Sequence, residues 1–240
     1  MRTLQITVLM LSLIFLSGFL STPGFAAQAD TGTPDSVIIF WTDGPKLKAV
    51  NLTFFPDRAG PIGIVSVPVY TWLDSEKQET TVSECYYKYG RDKLIRQMED
   101  LFKTSIGAYI TIDQQALVNV SDVIGNIEMA GRKTTLRDVF EGNYTDGPVN
   151  LQVEIRQLAD ALLTPAVLLK LPEVIWIFCR QIDSNIGPQH VMAFYHVLRY
   201  RGSGVLQKKA VPGRDCMIGN RKYRRVEPDT WSRTLKEVTS

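Results

Sequence analysis

Histidine and cysteine are scarce: there are two histidines, His190 and His196, and three cysteines, Cys85, Cys179 and Cys216. The histidines lie six positions apart, on different faces of a helix, so they do not form a metal pair. No Cys-x-x-Cys occurs, which argues against a structural zinc site. An odd cysteine count in an exported chain leaves at least one thiol outside any bridge. Cys85 and Cys179 lie in apolar segments and are expected to be buried as small hydrophobes. A strong net charge is also missing. The formal charge of +2 includes Arg2, so the rest of the chain is close to neutral, which argues against nucleic acid as an overall partner. Internal repeats, low-complexity linkers and a second-domain signal are absent as well.

Charge is missing almost entirely from residues 1–29, where Arg2 stands alone. Ile6 to Leu20 is an uncharged, largely apolar run, Ser21-Thr-Pro-Gly24 breaks it, and Ala27-Gln-Ala29 is a small-x-small cleavage pattern. The run is short for a membrane span, which needs about 20 residues. Two outcomes stay open, a cleaved signal peptide at 1–29 or a retained N-terminal membrane anchor, and either one places the remaining chain outside the membrane. What remains is enough for one domain with a sizeable core. Residues 30–226 are expected to form it, with 227–240 as a C-terminal tail.

The periodicities predict an α/β protein. Ser36 to Trp41 is an apolar strand, Lys48 to Phe54 alternates and should pair antiparallel with it, and Ile62 to Val67 is another buried strand. Leu94, Ile95, Met98, Leu101 and Phe102 recur at helical spacing, with the helix ending by Gly107. Ala108 to Ile112 is a strand rich in β-formers. Asp113 is placed to cap a helix with Ala116, Leu117, Val120, Val123 and Ile124 on one face, stopped by Gly125. Ile127 to Met129 begins a further strand. Strands alternating with amphipathic helices imply a mixed sheet covered by helices. Later, Leu151 to Leu162 and the segment from Pro165 read as helices, Val174 to Cys179 as an apolar stretch, Pro188 to Leu198 as a helix, and Val205 to Val211 as a late strand. The Asn-x-Ser/Thr triplets at Asn51 and Asn119 fall in a strand and a helix, which discounts them as glycosylation sites.

Charge is uneven near the end. From Arg199 to Ser240 eleven Lys or Arg face four acids. This is either a solvated surface or an electrostatic platform for anionic envelope polymer or lipid headgroups.

Several segments, in order and spacing, resemble the LytR-CpsA-Psr family of bacterial envelope proteins. They are Asp35-Ser-Val-Ile-Ile39, Ile64-Val-Ser-Val-Pro68 with Thr71, Tyr86 to Gly90, Ile106-Gly-Ala-Tyr-Ile110, Val118 to Glu128, Arg156-Gln157 and Leu171-Pro172. The resemblance spans most of residues 33 to 215. It implies a three-layer α-β-α sandwich around a mixed central sheet, with an apolar tunnel for a prenyl chain walled by helices such as Leu158 to Leu171 and Val191 to Leu198. It implies an extracytoplasmic protein that moves glycopolymer from a polyprenyl-pyrophosphate carrier to peptidoglycan, with arginines and an aspartate-held Mg2+ gripping the diphosphate.

The chain departs from that pattern where the chemistry sits. Thr33, Val69 and Val153 stand where arginines are expected, and Tyr70 where an aspartate is. By resemblance Asp35 is left for metal and Arg156 and Gln157 for phosphate, with Arg91 as an added nearby cation; no catalytic residue is assigned. A hydrogen bond to a charged group contributes about 1.5–3 kcal/mol, so losing three arginines weakens the grip by several such steps. The resulting expectation is a binding or accessory protein for polyprenyl-(pyro)phosphate-linked or anionic wall glycopolymer at a membrane surface, with weak or no transferase activity. The alternatives are an active phosphotransferase with relocated charges and a structural domain without ligand.

Overall fold

The computed structural model describes residues 35–55, 60–75, 78–145, 150–186 and 200–240. The leader at 1–29, Thr33 and the helix expected over Pro188 to Leu198, with both histidines, lie outside the described residues.

Three strands come first: β1 (Ser36–Asp43), β2 (Lys46–Phe54) and β3 (Ile62–Val67). β2 runs antiparallel between the other two, with Ser36 opposite Phe54 and Phe54 opposite Gly63. The hairpin β4 (Trp72–Ser75) and β5 (Gln78–Thr81) leads into α1 (Val82–Phe102). Thr81 and Glu84 close a reciprocal cap at its start, each side chain accepting from the other's backbone N–H. Then follow β6 (Ala108–Asp113), α2 (Gln114–Ile124), the hairpin β7 (Asn126–Met129) and β8 (Arg132–Thr135), α3 (Leu136–Glu141), α4 (Leu151–Leu162), α5 (Pro165–Leu168), α6 (Leu171–Gln181), β9 (Ile182–Ser184), β10 (Leu206–Ala210), the hairpin β11 (Arg214–Ile218) and β12 (Arg221–Arg225), and α7 (Pro228–Thr239).

The central sheet has the order β10-β3-β2-β1-β6-β9. β1, β3, β6 and β10 point the same way, and β2 and β9 oppose them. Both faces are covered, which explains why β1 reads as an unbroken apolar run. Its odd residues Val37, Ile39 and Trp41 belong to one apolar cluster with α2, α3, α4 and α6. Its even residues Ile38 and Phe40 belong to the other with α1 and α7. This is the helix–sheet–helix arrangement expected from the resemblance.

Several expectations need correction. The strand begun at Ile127 joins no central sheet; it pairs with β8 in a separate hairpin. α1 ends sooner than expected, at Phe102, with Lys103 in the left-handed region at φ 55°. Cys179 is exposed on α6, whereas Cys85 is buried and donates to Gln97 at 2.8 Å. The segment set apart as a tail is α7, whose Trp231 is 2% exposed and meets Phe102 edge-on at 5.3 Å. α7 approaches β3 closely because position 63 has no side chain: a Cβ on Gly63 would lie 2.8 Å from Val238.

Gly90 divides α1 in two, with φ 79° and ψ 178°, a conformation essentially confined to glycine. Gly90→Ala is therefore expected to cost about 1–3 kcal/mol, read as a lower urea midpoint with an unchanged slope. Nothing lies within 4 Å of the added Cβ, so a loss of that size would come from backbone strain.

Candidate functional site

A cavity of about 830 Å³ opens between the end of α2, the β7–β8 hairpin, α4 and α5. Ile124, Ile127, Ala161 and Val167 supply apolar surface, and Glu128, Lys133, Gln157, Asp160 and Lys170 supply polar atoms. The hairpin can bend around it because Ala130 (φ 52°) and Gly131 (φ 75°) both adopt the left-handed region. Lys170 donates from Nζ to the Ile124 carbonyl at 2.8 Å, satisfying an end carbonyl of α2. Among the described residues, Gln157 is the one expected at the site that lines this cavity.

The other expected residues are distributed over the sheet. β1 and β3 are parallel, so Asp35, just before β1, lies level with the start of β3, while Val69 and Tyr70 lie past its far end. They mark opposite ends of the sheet and do not share a cavity mouth. Arg156, on α4, donates to the Gly204 carbonyl at 3.0 Å, beside the start of β10. Its Nε is buried without a hydrogen-bond partner. Val153 is 48% exposed on the same helix. Arg91 belongs to the other layer: it lies 3.5 Å over the Tyr109 ring and pairs with Asp92 and Asp183 beside the β6–β9 edge. Arg91 is thus not gathered with Arg156 and Gln157.

Asp35 is exposed, and its carbonyl accepts from Phe55 N–H at 2.8 Å. Among the described residues no group of three or more His, Cys, Asp or Glu side chains could hold a metal ion. Mg2+ is commonly bound through one or two carboxylates together with phosphate and water oxygens, and Asp35 offers one such carboxylate.

The structure brings other charges to Tyr70. β12 is tied to the segment after β3 by Arg224 N–H donating to the Tyr70 carbonyl at 3.0 Å. Lys222 Nζ then sits 4.9 Å from the Tyr70 ring centre and the Arg224 guanidinium 5.5 Å from it. Asp215 accepts from Arg224 at 2.6 and 3.1 Å and from Lys222 at 2.7 Å. Those hydrogen bonds hold its carboxyl at about 2. Beside them Arg225 lies 5.2 Å over Trp72, which also packs on Tyr223. These cations belong to the basic run near the end of the chain, and a remote hairpin delivers them to Tyr70.

A buried polar group joins α4 to β10. Glu154 is 4% and Lys208 4% exposed. The Tyr144 hydroxyl donates to Glu154, and burial pushes that phenol well above its ordinary range. Gln152 clamps the adjoining β10 backbone, donating to the Leu206 carbonyl and accepting from Lys208 N–H at 2.8 Å.

No family model and no curated protein sequence matches this chain. Solved structures do. TagV of Bacillus subtilis is similar over 86% of this chain and 96% of its own, with a TM-score of 0.65 and 15% identity. The Bacillus subtilis protein described as the transcriptional regulator yvhJ is similar over 85% and 95%, with a TM-score of 0.63 and 16% identity. TagT bound to LI-WTA is similar over 89% and 93%, with a TM-score of 0.60 and 12% identity. The architecture is a helix-covered mixed sheet of a defined type. It is the LytR-CpsA-Psr fold, shared with TagV and TagT.

Proposed function

We propose that this chain is an extracytoplasmic cell-envelope protein that binds polyprenyl-(pyro)phosphate-linked or anionic wall glycopolymer and has weak or no transferase activity. The observation that carries the reading is TagT, which has the same fold over most of this chain and is seen with LI-WTA, a wall teichoic acid ligand. The cavity supports it, since its mixed apolar and charged lining suits a ligand with a greasy part and a charged part. Among the described residues no helix is long and apolar enough to cross a membrane, so contact with a membrane surface would come through the N-terminal run or through exposed patches.

Weak chemistry follows from the charges. Removing one preorganised donor to a developing charge can cost on the order of 100-fold in rate, and Val69 and Tyr70 offer no charge where the resemblance calls for an arginine and an aspartate. Mg2+ would have to arrive with the diphosphate itself, because the described carboxylates supply no cluster for it. One observation favours the second reading, an active phosphotransferase: Lys222 and Arg224 stand over Tyr70. Asp215 neutralises much of that charge, so we give it second place.

Mass spectrometry of lipid co-purified with the full chain tests the proposal. A polyprenyl-phosphate species is expected, together with no glycan release from a polyprenyl-pyrophosphate donor when Mg2+ is added. Steady release would make the second reading correct, and purified protein that neither carries nor takes up such a lipid would end the first. Binding of a soluble wall polymer should also fall as salt rises, and Lys222→Ala with Arg224→Ala should weaken it by about thirtyfold, each lost cation contributing roughly 1 kcal/mol. Salt-insensitive binding would remove the electrostatic account.

A further inference from the structure

The tip of the β11–β12 hairpin combines two features that no residue of the core explains. Met217 and Ile218 are exposed at 64% and 52%. The register places Ile218 directly opposite Arg221 and Met217 opposite Lys222. An apolar strand end is therefore paired, residue for residue, with a basic one. The hairpin carries Arg214, Arg221, Lys222, Arg224 and Arg225 against a single acid, Asp215. Arg224 and Lys222 are drawn towards Asp215, but the Arg221 side chain is 76% exposed, with Glu84 3.7 Å away, and Arg214 and Arg225 are exposed too. The base of the hairpin is held firmly. Arg224 donates to the Tyr70 carbonyl, Thr71 bridges to Arg224, and Tyr223 packs on Trp72. A rigid base with a greasy, cation-flanked tip is built to present the tip outward.

We propose that this hairpin tip docks on an anionic lipid bilayer, with Met217 and Ile218 entering the headgroup–acyl boundary and Arg221 and Lys222 meeting lipid phosphates. The apolar pair decides between the polyanions available at an envelope. A soluble phosphate polymer would satisfy the cations and leave Met217 and Ile218 in water, whereas a bilayer takes both, as interfacial amphipathic elements do. The inference rests on the extracytoplasmic placement proposed above but not on the glycan. It would keep the Tyr70 end of the sheet close to the membrane, where a lipid-borne ligand is delivered.

Hydrogen exchange of the Met217–Lys222 amides in the full chain tests it, with glycolipid-free vesicles. Exchange is expected to slow by about tenfold or more on phosphatidylglycerol vesicles and to stay unchanged on phosphatidylcholine vesicles, since each cation near an anionic surface is worth roughly a fivefold change in partition. Met217→Ser with Ile218→Ser should abolish the slowing and leave the melting temperature unchanged, both side chains being exposed. The apolar N-terminal run is common to every variant, so a difference read at the hairpin belongs to the hairpin. Equal exchange with and without phosphatidylglycerol vesicles, or slowing that persists in the double serine variant, would overturn the proposal. So would equal slowing by a soluble glycerol-phosphate polymer, which would make the hairpin a polymer site. A negative result leaves polymer binding at the cavity standing, and failure to bind polymer leaves the bilayer result standing.

Discussion

Glu154→Ala is expected to lower stability by about 3–5 kcal/mol, the range found when one partner of a buried charge pair is removed. Lys208 is fully buried between α4 and β10, and burial lowers its pKa to about 7, with the Glu154 charge opposing that shift. Without Glu154 the amine loses the carboxylate charge that favours its protonated form, and the Tyr144 hydroxyl loses its acceptor. Glu154→Gln with Lys208→Met should recover most of the loss, because well-packed neutral groups often replace buried pairs at little cost. The sign of the pH effect follows from the depressed lysine value. Between pH 7 and the ordinary 10.5 the unfolded chain binds the proton that the folded chain has released. Stability should therefore rise with pH over that window, by up to about 1.4 kcal/mol per pH unit from this group. Urea unfolding at pH 7 and pH 9 should show the gain in the natural chain and its loss in the double variant. A Glu154→Ala protein within about 1 kcal/mol of the natural one would mean the pair does not matter to the fold.

Trp231→Ala should cost a similar amount, about 3–5 kcal/mol. Trp231 is among the largest fully enclosed side chains, and its edge contact with Phe102 ties α7 to α1. For a domain of this size that corresponds to a fall in melting temperature of roughly 10 °C. Differential scanning calorimetry would show it. An unchanged transition would mean that α7 contributes nothing to the fold.

Much of the layer plan was legible because it rests on local pattern. The apolar run of β1, the alternation Val50, Leu52, Phe54 in β2 and the Asp113 cap of α2 all read directly from neighbours in sequence, and the structure has each of them. The site was less legible, for a topological reason. Asp35 and the Val69–Tyr70 pair are placed at one site by resemblance alone. Only the direction of β2 shows that the start of β1 and the end of β3 face opposite ways. Arg91 failed differently: nearness in a motif-bearing segment did not reveal that α1 covers the other face of the sheet. Cys179 looked buried because its neighbours Ile177 and Phe178 are, but the helical turn places it on the exposed side. The β11–β12 hairpin gave a signal, Arg221-Lys-Tyr-Arg-Arg225 after a Gly-Asn turn, but nothing local connects it to Tyr70.

The closeness of α7 to Gly63 and the pairing of Leu206 with Ile62 have a consequence for how the molecule is made. The first three strands form early in the chain but are completed only by partners that come much later, one along an edge and one across a face. Neither half is a folding unit. Contacts this remote carry a large loop-closure cost before they return anything, so assembly should be slow and all-or-none. Until then two greasy surfaces stand bare, and the emerging chain would depend on a holding chaperone during that interval.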